Sequence, residues 1–283
     1  MSTQIGLKRI GQRILRRLTH IPGYRSAWSK LPVGSIDTRV HYGIFPRPHY
    51  AYGTYAAADL ARRLRVRAIS VVEFGVAGGR SLVALECIAQ EISQETGVDI
   101  SVFGFDSGTG MPSPRDYRDL PYVWGEGFYK MDEARLRARL KATKLVLGDV
   151  KHTVPNFISE GGFPPLGFIA FDLDYYSSTK EALQIFDGES ATRLPRVYCY
   201  FDDIMWPEYA CHNEYIGELC AIREFNAENS ANRALCPVHM MPYMFAHRAG
   251  WHEQIYVLHD FHHPMYATNI TRRTDEDTQM RLD

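Results

Sequence analysis

Four aspartates stand directly after apolar runs. Asp172 and Asp174 follow Phe168-Ile169-Ala170-Phe171, and Asp202 and Asp203 follow Val197-Tyr198-Cys199-Tyr200-Phe201. Both runs read as buried strands. An ionised carboxylate at the end of a buried strand must be paired, hydrated or bound to metal, because burial penalises its charge. In open α/β sheets the carboxyl edge is also where ligands bind. Four acids gathered there suggest a divalent-cation site, since hard oxygen ligands suit magnesium, calcium or manganese.

A second constellation lies upstream. Ser70-Val71-Val72-Glu73-Phe74 reads as a short buried strand that runs into Gly75-Val76-Ala77-Gly78-Gly79, with a helix expected from about Ser81. Glycines in such a turn let backbone approach a ligand, and the helix N-terminus favours polar or anionic groups. Asp106 ends the next strand, Ser101–Phe105, close to the separation at which an acid can accept hydrogen bonds from ribose hydroxyls. The turn lacks the full G-x-G-x-x-G dinucleotide pattern, and no P-loop sequence is present.

The elements that must position these residues alternate. Strands are expected at Lys144–Leu147, ending in Gly148-Asp149, and at the two acid-bearing runs, with helices between them. Ser178 and Glu181 fit a capping box for a helix that starts after Asp174. Met240–Phe245 and Gln254–Leu258 are expected to close the sheet with an antiparallel edge. The expected organisation is an N-terminal helical appendage over residues 1–50, one α/β domain over 51–270 and a polar tail over 271–283. The stretch 116–129 mixes aromatics with glycine and proline breakers, and such long connections often cover active sites.

Five elements, taken in order, resemble class I S-adenosylmethionine-dependent methyltransferases, and more closely the macrocin O-methyltransferase family of metal-dependent natural-product sugar methyltransferases. They are Glu73–Gly79, Gly104–Pro112, Gly148-Asp149, Asp172–Thr179 and Phe201-Asp202-Asp203, and they span roughly residues 50–260. The resemblance implies a Rossmann-like, doubly wound, mostly parallel seven-stranded sheet with an antiparallel edge strand. It implies that Glu73, Gly75, Val76, Ala77 and Gly79 line the methionine part of S-adenosylmethionine, that Asp106 with Ser107 holds the ribose, and that Asp149 lies near the adenine. It further implies that Asp172, Asp202 and Asp203 bind Mg2+ and that Asp174 is the general base for a small-molecule hydroxyl, a sugar of a glycosylated natural product. The chain departs from the family pattern at Leu173, Tyr175 and Ser177, around the acceptor. Two other readings use the same residues: a methyltransferase-like scaffold without turnover, and a magnesium phosphohydrolase with an aspartate nucleophile.

Bulk properties narrow the partners. The chain has 283 residues, 45% of them hydrophobic and 23% charged, which suits a globular fold with a sizeable core. A net charge of -1 gives no sign of a nucleic-acid partner. No apolar stretch is long enough for a transmembrane segment. Five cysteines without metal-type spacing, with Cys87 and Cys199 inside apolar runs, predict buried free thiols and a reducing, cytoplasmic setting. Leu7, Ile10, Ile14 and Leu18 share one helical face among basic residues, a candidate contact for a homo-oligomer or a membrane surface. His152, His212, His239, His247 and His252 lack ligand spacing and are read as surface or packing residues.

Overall fold

The computed structural model of the chain describes residues 15–31 and 33–271. The polar tail and most of the proposed amphipathic N-terminal helix lie outside the described residues. Among the described residues, residues 15–18 are helical, and α1 (Tyr24–Trp28), α2 (Ile36–His41) and α3 (Pro48–Arg63) then precede the first strand. Pro48 starts α3 where its missing N–H costs nothing. Ile36, Val40 and Phe45 pack into the same apolar cluster as α3 and the sheet, and the domain boundary expected at residue 50 falls inside α3.

Among the described residues seven strands follow, interleaved with helices: β1 (Ala68–Phe74), α4 (Arg80–Thr96), β2 (Asp99–Asp106), α5 (Glu133–Arg137), β3 (Lys144–Leu147), α6 (Val150–Glu160), β4 (Leu166–Phe171), α7 (Tyr176–Ala182), β5 (Arg193–Phe201), α8 (Gly217–Asn229), β6 (Arg233–Pro237) and β7 (Ile255–Asp260). The sheet order is β3-β2-β1-β4-β5-β7-β6, with β7 antiparallel to both neighbours. This is the doubly wound, mostly parallel sheet expected from the alternation. Strand order reverses between β1 and β4, the switch point at which such sheets bind ligands.

Both faces of the sheet are covered, so β4 is apolar throughout rather than alternating, and β1 is buried along its length apart from its first residue although it carries Ser70 and Glu73. In β4, Phe168 and Ala170 join the cluster beneath α3 and α4, whereas Ile169 and Phe171 join the cluster beneath α6, α7 and α8. Register then aligns four phenylalanines across the sheet: Phe105 pairs with Phe74, Phe74 with Phe171, and Phe171 with Phe201. Their rings touch at centroid distances of 4.8, 5.4 and 4.7 Å. The residues that follow this row are Asp106, Gly75, Asp172 and Asp202. One aromatic layer thus sets the height of every strand end that carries a candidate functional group.

Two expectations are corrected. Met240–Phe245 is not a strand: Met240 has φ 60° and residues 241–243 form a 3-10 turn around Pro242, which lacks the N–H a ladder needs. The strand there is β6, further upstream. Cys87 is exposed, while Cys199 is buried as expected. It sits two residues past the inward-facing Leu85, about 200° around the helix at 3.6 residues per turn.

The packing of α3 on β4 depends on a missing side chain. A Cβ at Gly53 would lie 2.2 Å from the Phe168 ring, which is itself fully buried. Gly53→Ala is therefore expected to destabilise the fold by about 1–3 kcal/mol, despite alanine's better helix propensity. Urea denaturation checks this, and an unchanged midpoint would contradict the close approach.

Candidate functional site

One cavity of about 1160 Å³ opens over the carboxyl edge of the sheet. Its wall includes Gly75, Val76, Ala77, Gly79, Asp106, Ser107, Asp149, Asp172, Asp174, Asp202 and Asp203. Sequence reasoning therefore gathers residues that the fold does bring together. The volume exceeds the usual range for a single small ligand, roughly 300–1000 Å³.

The glycine turn leans on β4. A Cβ at Gly75 would lie 1.6 Å from the Asp172 carbonyl oxygen, and φ there is 82°, so only glycine fits. Asp106 organises the turn from below: Oδ2 accepts from Val76 N at 2.9 Å and Ala77 N at 2.8 Å, and Oδ1 accepts from Gly108 N at 2.7 Å. A carboxylate offers about four acceptor sites, which leaves capacity toward the cavity. Ser107 donates to the Gly110 carbonyl at 2.8 Å. Asp149 lines the cavity and also caps α6, accepting from Lys151 N at 2.9 Å.

Glu73 is placed differently from its sequence expectation. It does not line the cavity but lies fully buried behind it, accepting from the Tyr50 hydroxyl at 3.2 Å. Burial pushes its carboxyl up to about 8, against the opposing effects of that hydrogen bond and the Arg47 charge.

The acidic centre is assembled at the ends of β4 and β5. Asp172, Asp202 and Asp203 each offer an oxygen, and these oxygens lie within 4.8 Å of one another. Asp174, with φ 59°, donates its backbone N–H to Asp203 Oδ2 at 2.9 Å. Asp202 is held by the Tyr200 hydroxyl, and its carbonyl accepts from Gln254 Nε2 at 2.6 Å. Burial, then the charges of Asp203 and Asp202, raises Asp172 well above the carboxylate range. Burial, then Asp172, pushes Asp174 up to about 8. Among the described residues no ion pair neutralises any of the four. Three convergent carboxylate oxygens with no cationic side chain paired to them among the described residues are a donor set that fits a hard divalent cation.

The 116–129 stretch borders this centre. Its C-terminal end is clamped to Met111, whose N–H donates to Phe128 O and whose carbonyl accepts from Gly127 N, both at 2.8 Å. Trp124, Glu126 and Tyr129 face the cavity, across from Trp206 and Tyr209 on the loop after β5. Fully buried Asp119 anchors the middle of the stretch, accepting from Ser177 N at 2.8 Å, Ser177 Oγ at 2.9 Å and Arg115 N at 2.8 Å. This bond corrects the capping-box expectation. α7 starts at Tyr176, Ser178 lies inside it, and Asp119 supplies the cap from a distant segment, while Glu181 pairs with Arg115 at 2.5 Å.

Arg47, Arg80 and Ser81 also line the cavity, and sequence reasoning missed them. Arg80 and Ser81, opening the helix after the glycine turn, could have been flagged by position alone. Of the histidines, His152 and His239 are exposed, His252 is buried against Phe245 at 4.6 Å, and His247 meets Thr19 Oγ1 at 2.8 Å. His212 meets the Trp206 carbonyl at 3.1 Å. None joins the acidic centre.

No protein-family model and no curated protein sequence matches the chain. Solved structures do. The O-methyltransferase NovP is 15% identical over 84% of this chain and 98% of its own, with a TM-score of 0.51. The calicheamicin methyltransferase CalS11 is 21% identical over 74% and 82%, with a TM-score of 0.46. The O-methyltransferase TomG from Streptomyces achromogenes is 12% identical over 86% and 98%, with a TM-score of 0.46. The likeness to NovP is one of fold, and it agrees with the Rossmann-like doubly wound sheet expected from the sequence. No helix among the described residues is long and apolar enough to cross a membrane.

Glu73 makes a pH prediction. Its proton stays bound in the fold up to about pH 8, whereas in the unfolded chain it leaves near the ordinary value of 4.5. Its stabilising contribution is complete below 4.5 and lost as pH rises through 8. Glu73→Gln remains neutral throughout, so its melting temperature relative to the unmodified protein should climb between pH 5 and 8.5. A pH-independent difference in calorimetry would contradict this placement.

Proposed function

We propose that the protein is a Mg2+-dependent O-methyltransferase that uses S-adenosylmethionine and a small-molecule hydroxyl, a sugar of a glycosylated natural product. One observation carries the reading: the three-aspartate oxygen cluster and the glycine turn share a single cavity. The fold shared with NovP, itself an O-methyltransferase, supports it.

In this reading the Gly75–Gly79 turn and Asp106 hold the cofactor at the β1 and β2 edge, with Ser107 and Asp149 beside it. Asp172, Asp202 and Asp203 would hold the cation, which when bound supplies charge compensation and acidifies and orients an acceptor hydroxyl. Asp174 takes the acceptor's proton. Its backbone is fixed to Asp203, it lines the cavity, and it stands two residues beyond Asp172, within reach of an acceptor held there. The cofactor brings its own good leaving group, so the chain's remaining task is alignment and exclusion of water. Trp124, Tyr129, Trp206 and Tyr209 would form the acceptor wall, with the 116–129 stretch as its cover.

Calorimetric titration with S-adenosylmethionine, followed by labelled-methyl transfer to a panel of glycosides with Mg2+ or EDTA, tests this. Cofactor binding and Mg2+-dependent labelling are expected. Absence of cofactor binding would defeat the proposal, and binding without transfer to any acceptor would favour the scaffold. In Asp174→Asn, turnover should fall by about a hundredfold or more with cofactor affinity retained. Near-normal turnover would remove Asp174 from the base role.

A further inference from the structure

Glu218, second in α8, is fully buried, and nothing in its sequence context marks it. Its Oε2 accepts from Asp203 N at 3.1 Å, and the backbone amide of Leu173 is close enough to act electrostatically on the same carboxylate. The Thr179 hydroxyl of α7 lies 3.4 Å from Oε1. Leu173 N belongs to the peptide that follows Asp172, and Asp203 N to the peptide between Asp202 and Asp203. One side chain therefore holds the peptide between Asp202 and Asp203 by a hydrogen bond and lies beside the peptide that follows Asp172. A return bond, from Asp174 N to Asp203 Oδ2 at 2.9 Å, ties the same two loops a second time and leaves the other Asp203 oxygen for a cation.

Packing alone does not account for an acid here. Asp203 and Asp202 oppose charge on Glu218, and an apolar side chain of similar volume would fill the space without that cost. What an apolar residue cannot do is accept the Asp203 N–H of the loop after β5 while setting a carboxylate against the Leu173 amide of the loop after β4. Those loops come from different strands, and α8 reaches both at its first turn. Gly217, with φ 56°, permits that turn, and a Cβ there would lie 3.1 Å from Leu120.

We propose that Glu218 is the positioning residue of the metal site, setting the spacing between the loops after β4 and β5 so that Asp172, Asp202 and Asp203 converge. This rests on the metal reading above. The test is Mn2+ affinity, measured by electron paramagnetic resonance on the full chain without acceptor, alongside S-adenosylmethionine affinity and the thermal transition. Glu218→Gln keeps an acceptor oxygen at the same reach and should bind Mn2+ within about threefold of the unmodified protein. Glu218→Asp withdraws the carboxylate by one methylene, and Glu218→Met removes the acceptor while filling the space. Both should bind Mn2+ about tenfold or more weakly, the loss typical of removing a group that orients metal ligands, with cofactor affinity unchanged. If Glu218→Met does not fold, Glu218→Asp decides alone. Normal Mn2+ affinity in a folded Glu218→Asp protein overturns the inference. Failure of the unmodified protein to bind Mn2+ overturns the metal reading and the inference with it.

Discussion

Mutual repulsion among carboxylates at the ends of β4 and β5 is the constraint around which this fold is organised. Asp172, Asp202 and Asp203 place oxygens within 4.8 Å of one another in a largely buried setting, where like charges interact strongly. Such an arrangement does not assemble for stability. It persists because surrounding structure fixes the backbone that carries it: the phenylalanine row below, the Asp174 amide and Glu218 between the loops, and Tyr200 and Gln254 beside Asp202. The chain's stability is supplied elsewhere, by the two apolar clusters on either face of the sheet.

The same row links the acidic centre to the glycine turn. Phe74 and Phe171 are in register, so Gly75 and Asp172 lie side by side, so close that a Cβ on Gly75 would overlap the Asp172 carbonyl. The two halves of the proposed reaction, a methyl donor at β1 and an acceptor oxygen at β4, are thereby held at a distance set by backbone rather than by flexible side chains. Positioning of that kind is worth several kcal/mol in a two-substrate reaction. The 116–129 stretch joins this frame through Asp119, which caps the helix that follows Asp174.

Much of this was legible in the sequence because it is written locally. A buried apolar run followed by an acid or a glycine turn identifies a strand end, and the ends at Gly75, Asp106, Gly148-Asp149, Asp172 and Asp202, taken in order, outline the parallel part of the sheet and the cavity wall. The parts that were not legible depend on contacts between distant residues. Asp119 caps Ser177 from 58 positions away, so the local Ser178–Glu181 pattern misled. Glu218 sits in a helix whose sequence does not show that its first turn meets two loops. Glu73 follows strand parity onto the α3 side with Val71, away from the cavity, but parity alone does not say which side is which. Met240–Phe245 has strand-like composition, overridden by Pro242 and the left-handed backbone at Met240.

The central claim is that the converging aspartates are a cation site within a methyl-transfer cavity. Anomalous diffraction from crystals grown with Mn2+ and S-adenosylhomocysteine tests it most directly. One strong anomalous peak is expected, bonded to carboxylate oxygens of Asp172, Asp202 and Asp203, with the nucleoside against the Gly75–Gly79 turn and Asp106. A nucleoside seated at that turn with no peak at the aspartates, or a peak held by other residues, would contradict it.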